Sequence, residues 1–537
     1  MIKKIDAPTL KAMLKDGQEI AVLDVREAGQ FGEGHLLFGV PAPYSILETR
    51  IDRLVPRRNT RIILVDDGDG VAERSAVRLE AVGYCDITCL DGGVIAWADS
   101  GYELFKGVNV PSKAFGEMVE LIAHTPSVSA EELHNMLKEN VDCVVLDGRT
   151  YEEYHNMNIP GAISVPNAEL VYHVHDIVPS LETMVVVNCA GRTRSIIGAQ
   201  TLINAGLPNR VFALRDGTMG WYLAGYELEH GNTRCYPDIS KVGMAKARMM
   251  ANAMAVRYGV NRVNKTTLEN WQTDTERTLY LFDVRSHEEY EAGHIPGAVH
   301  APGGQLVQKT DSWIGTWGAR IILTDDSEIR AITTGHWLKQ MGWEVYVFSN
   351  SDGTMMTETG TPSRQILDID KLDVESITPH SLMNTINARA ITVVDVGYSM
   401  DYRKHHLPDA IWSIRPRLCR LAPLLSISKR IILYSEHETR ARLAVYDTKV
   451  MTDVPVVVLE GGREAWMAAG LPTESSPEKP TDVDAIDFLF FVHERRHGNK
   501  AAMREYLRWE MSLPVQIVRD GDARYNIRVR CSSLNLI

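Results

Sequence analysis

Short apolar runs closed by polar residues recur four times along the chain. The first run of each set ends in Asp: Val22-Leu-Asp-Val-Arg26, Val145-Leu-Asp-Gly-Arg149, Leu281-Phe-Asp-Val-Arg285 and Val393-Val-Asp-Val-Gly397. The second ends in a variable residue: Arg61-Ile-Ile-Leu-Val-Asp-Asp67, Met184-Val-Val-Val-Asn-Cys189, Arg320-Ile-Ile-Leu-Thr-Asp-Asp326 and Arg430-Ile-Ile-Leu-Tyr-Ser-Glu436. Runs this short and this rich in Val and Ile predict buried strands. Each copy opens on a helix start, with Asp6, Ser129, Asn264 or Thr378 as N-cap. A helical pattern follows the second run, as in Ser195–Gly206, and a third strand leads to a glycine turn and Trp97, Trp221 or Trp466. The third copy keeps Ser351-Asp-Gly-Thr354 without the Trp. Strands alternating with helices predict a mainly parallel sheet flanked by helices, with ligands bound beyond the carboxyl ends of its strands.

This self-similarity predicts four tandem α/β domains at 1–108, 125–232, 261–360 and 376–475. Residues 233–260 are rich in Ala and Met and predict a helical linker whose Met face is core. Residues 481–537 match no repeat and form a C-terminal extension with a helical stretch at 499–511. From the Asp of the first run to the variable slot is 43, 42, 43 and 41 residues.

The slot holds Asp67, Cys189, Asp326 and Glu436, so one copy carries a nucleophile and three carry acids. Only a thiolate attacks sulfur and then carries it. The loop Cys189-Ala190-Gly191-Arg192-Thr193-Arg194-Ser195 runs into a helix N-terminus. Its amides and the two guanidinium groups predict a thiol pKa below the ordinary value of about 8.5. In this reading the amides of Ala190, Gly191, Arg192, Thr193, Arg194 and Ser195 cradle the transferred sulfur. Arg192 and Arg194 bind the anionic end of a donor, one or both swinging toward solvent in the free protein. The three acids fill, as permanent anions, a nest built for one. Asp24, Asp147 and Asp283 pair with Arg26, Arg149 and Arg285 to order the strand ends. His173 and His175 are solvated or capping rather than a base for Cys189. Cys85 and Cys89 lack a second pair at zinc spacing.

Asp-x-Arg, then Gly-His-Ile-Pro-Gly-Ala at 293–298, then a loop opened by Cys, then Asp/Glu-Gly-Gly with a following Trp together resemble the rhodanese (sulfurtransferase) family. The resemblance covers about 400 residues in four copies. It implies a sulfane sulfur transferase with a persulfide on Cys189, catalytically silent companion copies, and turn histidines (His35, His294 and His406) that are structural rather than ligands. The implied reaction moves sulfur from a small anionic donor such as thiosulfate to a thiol, cyanide or protein acceptor. The alternative is a non-catalytic sulfur-carrier, regulatory or scaffold protein. A Cys-based phosphatase or arsenate reductase is a third reading. It is disfavoured because Ser195, not Arg, stands six residues after Cys189.

Composition narrows this further. A net charge of −13 and the lack of a dense basic tract argue against nucleic acid as a partner. No apolar run approaches the length that spans a bilayer; the longest is Phe488-Leu-Phe-Phe-Val492. Seven cysteines, an odd number, predict free thiols and a cytoplasmic setting. No cofactor is expected.

Overall fold

The computed structural model describes residues 2–349, 355–362, 366–385 and 391–529. Each of the four copies forms a five-stranded parallel sheet. In the second copy the strands are β1 (Ser127–Val128), β2 (Cys143–Asp147), β3 (Ile163–Ser164), β4 (Met184–Asn188) and β5 (Val211–Leu214). Their order in the sheet is β1-β5-β4-β2-β3, and the other three sheets repeat it. β4 is the middle strand, with Val185, Val186 and Val187 wholly buried. A strand covered on both faces needs that continuous apolar run.

Among the helices around the second copy are α1 (Val110–Ala123), α2 (Thr193–Ala205), α3 (Lys241–Tyr258) and α4 (Lys500–Asp520). α3 is the predicted linker helix, and Met250 and Met254 are core as expected, whereas Met249 faces solvent. α4 is longer than the predicted stretch. The chain divides into two compact units: residues 1–13, 20–108 and 363–493, and residues 14–19, 109–362 and 494–537. The first holds the first and fourth copies; the second holds the second and third. The extension expected as one piece at 481–537 is thus shared between them, changing unit after His493. Ser351–Thr354 and Cys531 lie outside the described residues.

Strand register corrects the slot assignment. Asp24 pairs with Val65, Asp147 with Asn188, Asp283 with Thr324 and Asp395 with Tyr434. The residues equivalent to Cys189 are therefore Asp66, Asp325 and Ser435, not Asp67, Asp326 and Glu436. The glycine turn confirms the shift: Thr218 N–H donates to the Cys189 carbonyl at 2.8 Å, Val94 N–H to that of Asp66 at 2.9 Å, and Arg463 N–H to that of Ser435 at 2.8 Å. Counted this way, the slot follows the strand Asp by 42, 42, 42 and 40 residues.

The nest idea holds for Asp66 and Asp325 but not for Ser435, whose hydroxyl donates to the His437 carbonyl instead. Asp66 accepts the amides of Gly68 (2.8 Å) and Ala72 (2.9 Å). Asp325 accepts those of Glu328 (2.5 Å) and Arg330 (2.9 Å). The acids one place on are bound by side chains instead: Asp67 by Arg26 and Gln30, Asp326 by Arg330, and Glu436 by Arg440. They stand where the second copy has Ala190.

Candidate active site

Cys189 follows β4 directly, and the turn at 190–192 delivers the chain into α2. The backbone here is packed to contact. Gly217 has φ +55°, and a Cβ there would lie 2.2 Å from the Cys189 carbonyl oxygen. A Cβ on Gly191 would meet the Met219 methyl at 2.7 Å and Glu510 Oε2 at 3.3 Å. Cys189 itself is 2% exposed. Behind it, the Asp147–Arg149 pair orders the end of β2 at 2.7 and 2.8 Å, and Asn188 Nδ2 donates to the same carboxylate at 3.0 Å. The pairs Asp24–Arg26 and Asp283–Arg285 repeat this at 2.7 Å. The fourth copy, with Gly397 in place of that Arg, sets Arg463 3.6 Å from Asp395.

The electrostatics differ from the sequence-based expectation. Burial pushes the Cys189 thiol above its ordinary value; the Arg194 charge, the Ser195 hydroxyl and the Ser195 and Gly191 amides pull the other way without overcoming it. Of the two predicted guanidinium groups Arg194 acts on the thiol, together with loop amides, but desolvation disfavours the charged form more strongly. The thiolate fraction therefore grows with pH through and beyond the ordinary thiol range. Peptide-resolved alkylation of Cys189 by iodoacetamide should keep accelerating from pH 7 past about 8.5, the ordinary cysteine value. A plateau below that value would contradict the burial argument.

Arg192 and Arg194 are not free to swing out. Arg194 clamps Glu153 with two bonds, at 2.5 and 2.8 Å. Arg192 is bidentate on Glu117 (2.8 and 2.9 Å) and also reaches Glu120 and, at 3.2 Å, Asp216. Both guanidinium groups are buried. The two differ in kind. An Arg recurs five residues after the slot as Arg330 and Arg440, in copies without a thiol, and Arg330 clamps Glu289 at 2.7 and 2.9 Å as Arg194 clamps Glu153. Arg194 thus serves first to hold the loop, while its charge still reaches Cys189. Arg192 has acids in the same place elsewhere (Asp69, Glu328, Glu438) and ties the loop of this copy alone to α1.

Two other expectations resolve as follows. His35, His294 and His406 are buried and stack on Phe31, Tyr290 and Tyr402 at 3.9, 3.8 and 4.1 Å, which is a structural placement. His173 is not solvated, and His175 is half-buried. His173 is buried against Tyr236, where burial lowers its pKa to about 4, and His175 faces Met250 on α3. No group of metal-binding side chains is present among the described residues, Cys85 and Cys89 included.

The loop is roofed by residues that gave no sequence signal. Glu117 and Glu120 come from α1, and Lys113, one turn earlier, lies 3.4 Å from Glu510 of α4. Beside them is a cavity of about 500 Å³. Met219, Tyr222 and Tyr226 line one side and Lys500 and Met503 of α4 the other. Met219 belongs to both the cavity wall and the Gly191 contact.

This chain belongs to the rhodanese-like family. The family model described as Rhodanese-like domain matches residues 6–100, 129–224, 264–351 and 378–469. The crystal structure of a thiosulfate sulfurtransferase from Pseudomonas aeruginosa is similar over 98% of this chain and all of that one, with 43% identity and a TM-score of 0.91. The chain thus has the build of a sulfurtransferase-like enzyme. Among curated proteins, a sulfurtransferase of Allochromatium vinosum is 25% identical over 101 residues, 19% of this chain and 92% of its own length. An HTH-type transcriptional regulator of Mycobacterium tuberculosis is 32% identical over 118 residues, 22% of this chain. The chain spans about half (49%) of that regulator's length. No helix among the described residues is long and apolar enough to cross a membrane.

Proposed function

We propose that the protein moves sulfane sulfur from a small anionic donor, thiosulfate as the type, to a thiol or cyanide through a persulfide on Cys189. One observation carries this reading: at the position the sheet register defines, the four copies hold Asp66, Cys189, Asp325 and Ser435, so one thiol sits in a nest that two other copies fill with a carboxylate. A nest suited to a fixed anion suits a thiolate and the outer sulfur of a persulfide.

In the first half-reaction the Cys189 thiolate attacks the outer sulfur of thiosulfate. The S–S bond to the sulfite group breaks, sulfite leaves with the electron pair, and Cys189 carries the extra sulfur. In the second, an acceptor attacks that sulfur and the thiolate returns. The amides of Gly191 and Ser195 and the Arg194 charge favour the anion at each stage. The donor's anionic end meets the amides of 190–195 and this fixed charge, since Arg192 is already matched by three carboxylates. A covalent carrier implies ping-pong kinetics. Thiocyanate formation from thiosulfate and cyanide should give parallel double-reciprocal lines. Intersecting lines, or no thiocyanate, would contradict the proposal.

A further inference from the structure

α4 lies outside the four repeats, yet its inner face meets the Cys189 loop. Met503, Leu507 and Glu510, at helical spacing, are buried. Leu507 and Glu510 reach Gly191, the residue whose amide favours the Cys189 thiolate. Glu510 is 3% exposed. Its Oε1 is held by Lys113 at 3.4 Å, and Lys113 in turn bonds the Tyr506 hydroxyl and lies over the Tyr506 and Trp509 rings. Its Oε2 is buried with no hydrogen-bond partner among the described residues and points to the loop. A buried carboxylate with one oxygen fixed and the other bare is costly unless something visits it. The first oxygen being tethered, the second has a set direction.

We infer that Glu510 is the acceptor-side base of this site: its Oε2 takes the proton of an incoming thiol, whose body occupies the cavity lined by Met219, Tyr222, Lys500 and Met503. This rests on Cys189 carrying the persulfide. The step balances. R–SH gives its proton to the Glu510 carboxylate, and the freed pair on sulfur bonds to the outer sulfur of Cys189–S–SH. The S–S bond breaks toward Cys189, leaving its thiolate, R–S–SH and a protonated Glu510 that returns its proton to water. Lys113 is a positioning residue. The charged groups around Glu510 are Lys113 and Glu117, with Arg495 and Arg194 acting on Lys113. Burial lowers Lys113 to about 8 against the pull of Glu510, and raises Glu117 to about 7 against the pull of Arg192.

The test is single-turnover discharge of full-length protein preloaded with thiosulfate, comparing wild type with Glu510→Gln at pH 8. Two acceptors are used: 2-mercaptoethanol, which must lose a proton, and sulfite, which attacks as an anion with none to lose. Glu510→Gln should load sulfur normally and lose thiol discharge by on the order of 10²-fold, the usual scale for a general base. Sulfite discharge should fall far less. The thiol deficit should shrink as pH passes the acceptor thiol's own pKa. Lys113→Met combined with Glu510→Gln removes both charges together and should show the same split, which guards against misfolding from an unpaired lysine. Equal losses to both acceptors, or undiminished thiol discharge, would overturn the role of Glu510 while leaving Cys189 loading intact. A wild-type protein that never loads sulfur would overturn both.

Discussion

Cys189→Ser abolishes sulfur transfer while leaving the fold in place. The loss in thiocyanate formation should exceed about 10³-fold, because a hydroxyl at this position neither ionises near neutrality nor holds sulfane sulfur, and nucleophile removal costs at least this much in covalent enzymes. The fold survives because the fourth copy already carries Ser435 at the equivalent place, in a strand with the same register and with its carbonyl bound by the Arg463 amide at 2.8 Å. The converse holds as well. Asp66 and Asp325 each accept two or more loop amides, so a thiol placed there loses an anion the loop is built around. Retention of more than a tenth of wild-type transfer by Cys189→Ser would assign the chemistry elsewhere.

Arg415→Met should destabilise the unit formed by the first and fourth copies by about 3–5 kcal/mol, the scale for breaking a buried ion pair. Arg415 is 1% exposed and bidentate on Glu48, itself fully buried, at 2.7 and 3.0 Å. It also bonds Asp447 at 2.7 Å and the Tyr44 carbonyl at 3.0 Å. Burial pushes the Glu48 carboxyl up, but Arg415 and Arg78 together hold it below its ordinary value, so it stays charged. Removing one guanidinium leaves that charge underpaired where water does not reach. Arg430→Met is the control. Its partner Glu375 is exposed and their contact is 3.2 Å, so the loss should stay under about 1 kcal/mol. Denaturant unfolding followed by a probe in this unit separates the two. Indistinguishable midpoints would show that the buried pair contributes little.

How much of this was legible in the chain differs residue by residue. β4 and Cys189 were readable because an apolar run ending at a Gly- and Arg-containing turn has few other uses. The slot in the first and third copies is displaced by one because Asp66–Asp67 and Asp325–Asp326 are pairs of like residues, and in the fourth because the acid Glu436 follows Ser435. The strand ladder says which member faces the nest, since one residue of register exchanges the two faces. The Arg194–Glu153 clamp spans 41 residues and Arg192–Glu117 spans 75, so neither carries a local signature. The recurrence of Arg330 and Arg440 in copies without a thiol was a usable hint that Arg194 is part of the scaffold. The direction of the Cys189 pKa failed for a different reason. Helix amides and guanidinium charge can be counted along the sequence, but the burial that outweighs them comes from the packed surroundings of the loop.

The most direct test is intact-mass spectrometry of the full chain after brief exposure to thiosulfate and removal of excess donor. Wild type should gain the mass of one sulfur atom, mapped by peptide analysis to Cys189 and discharged by cyanide, and Cys189→Ser should gain nothing. An unchanged wild-type mass, or an equal gain by the serine variant, would contradict a persulfide carried on Cys189.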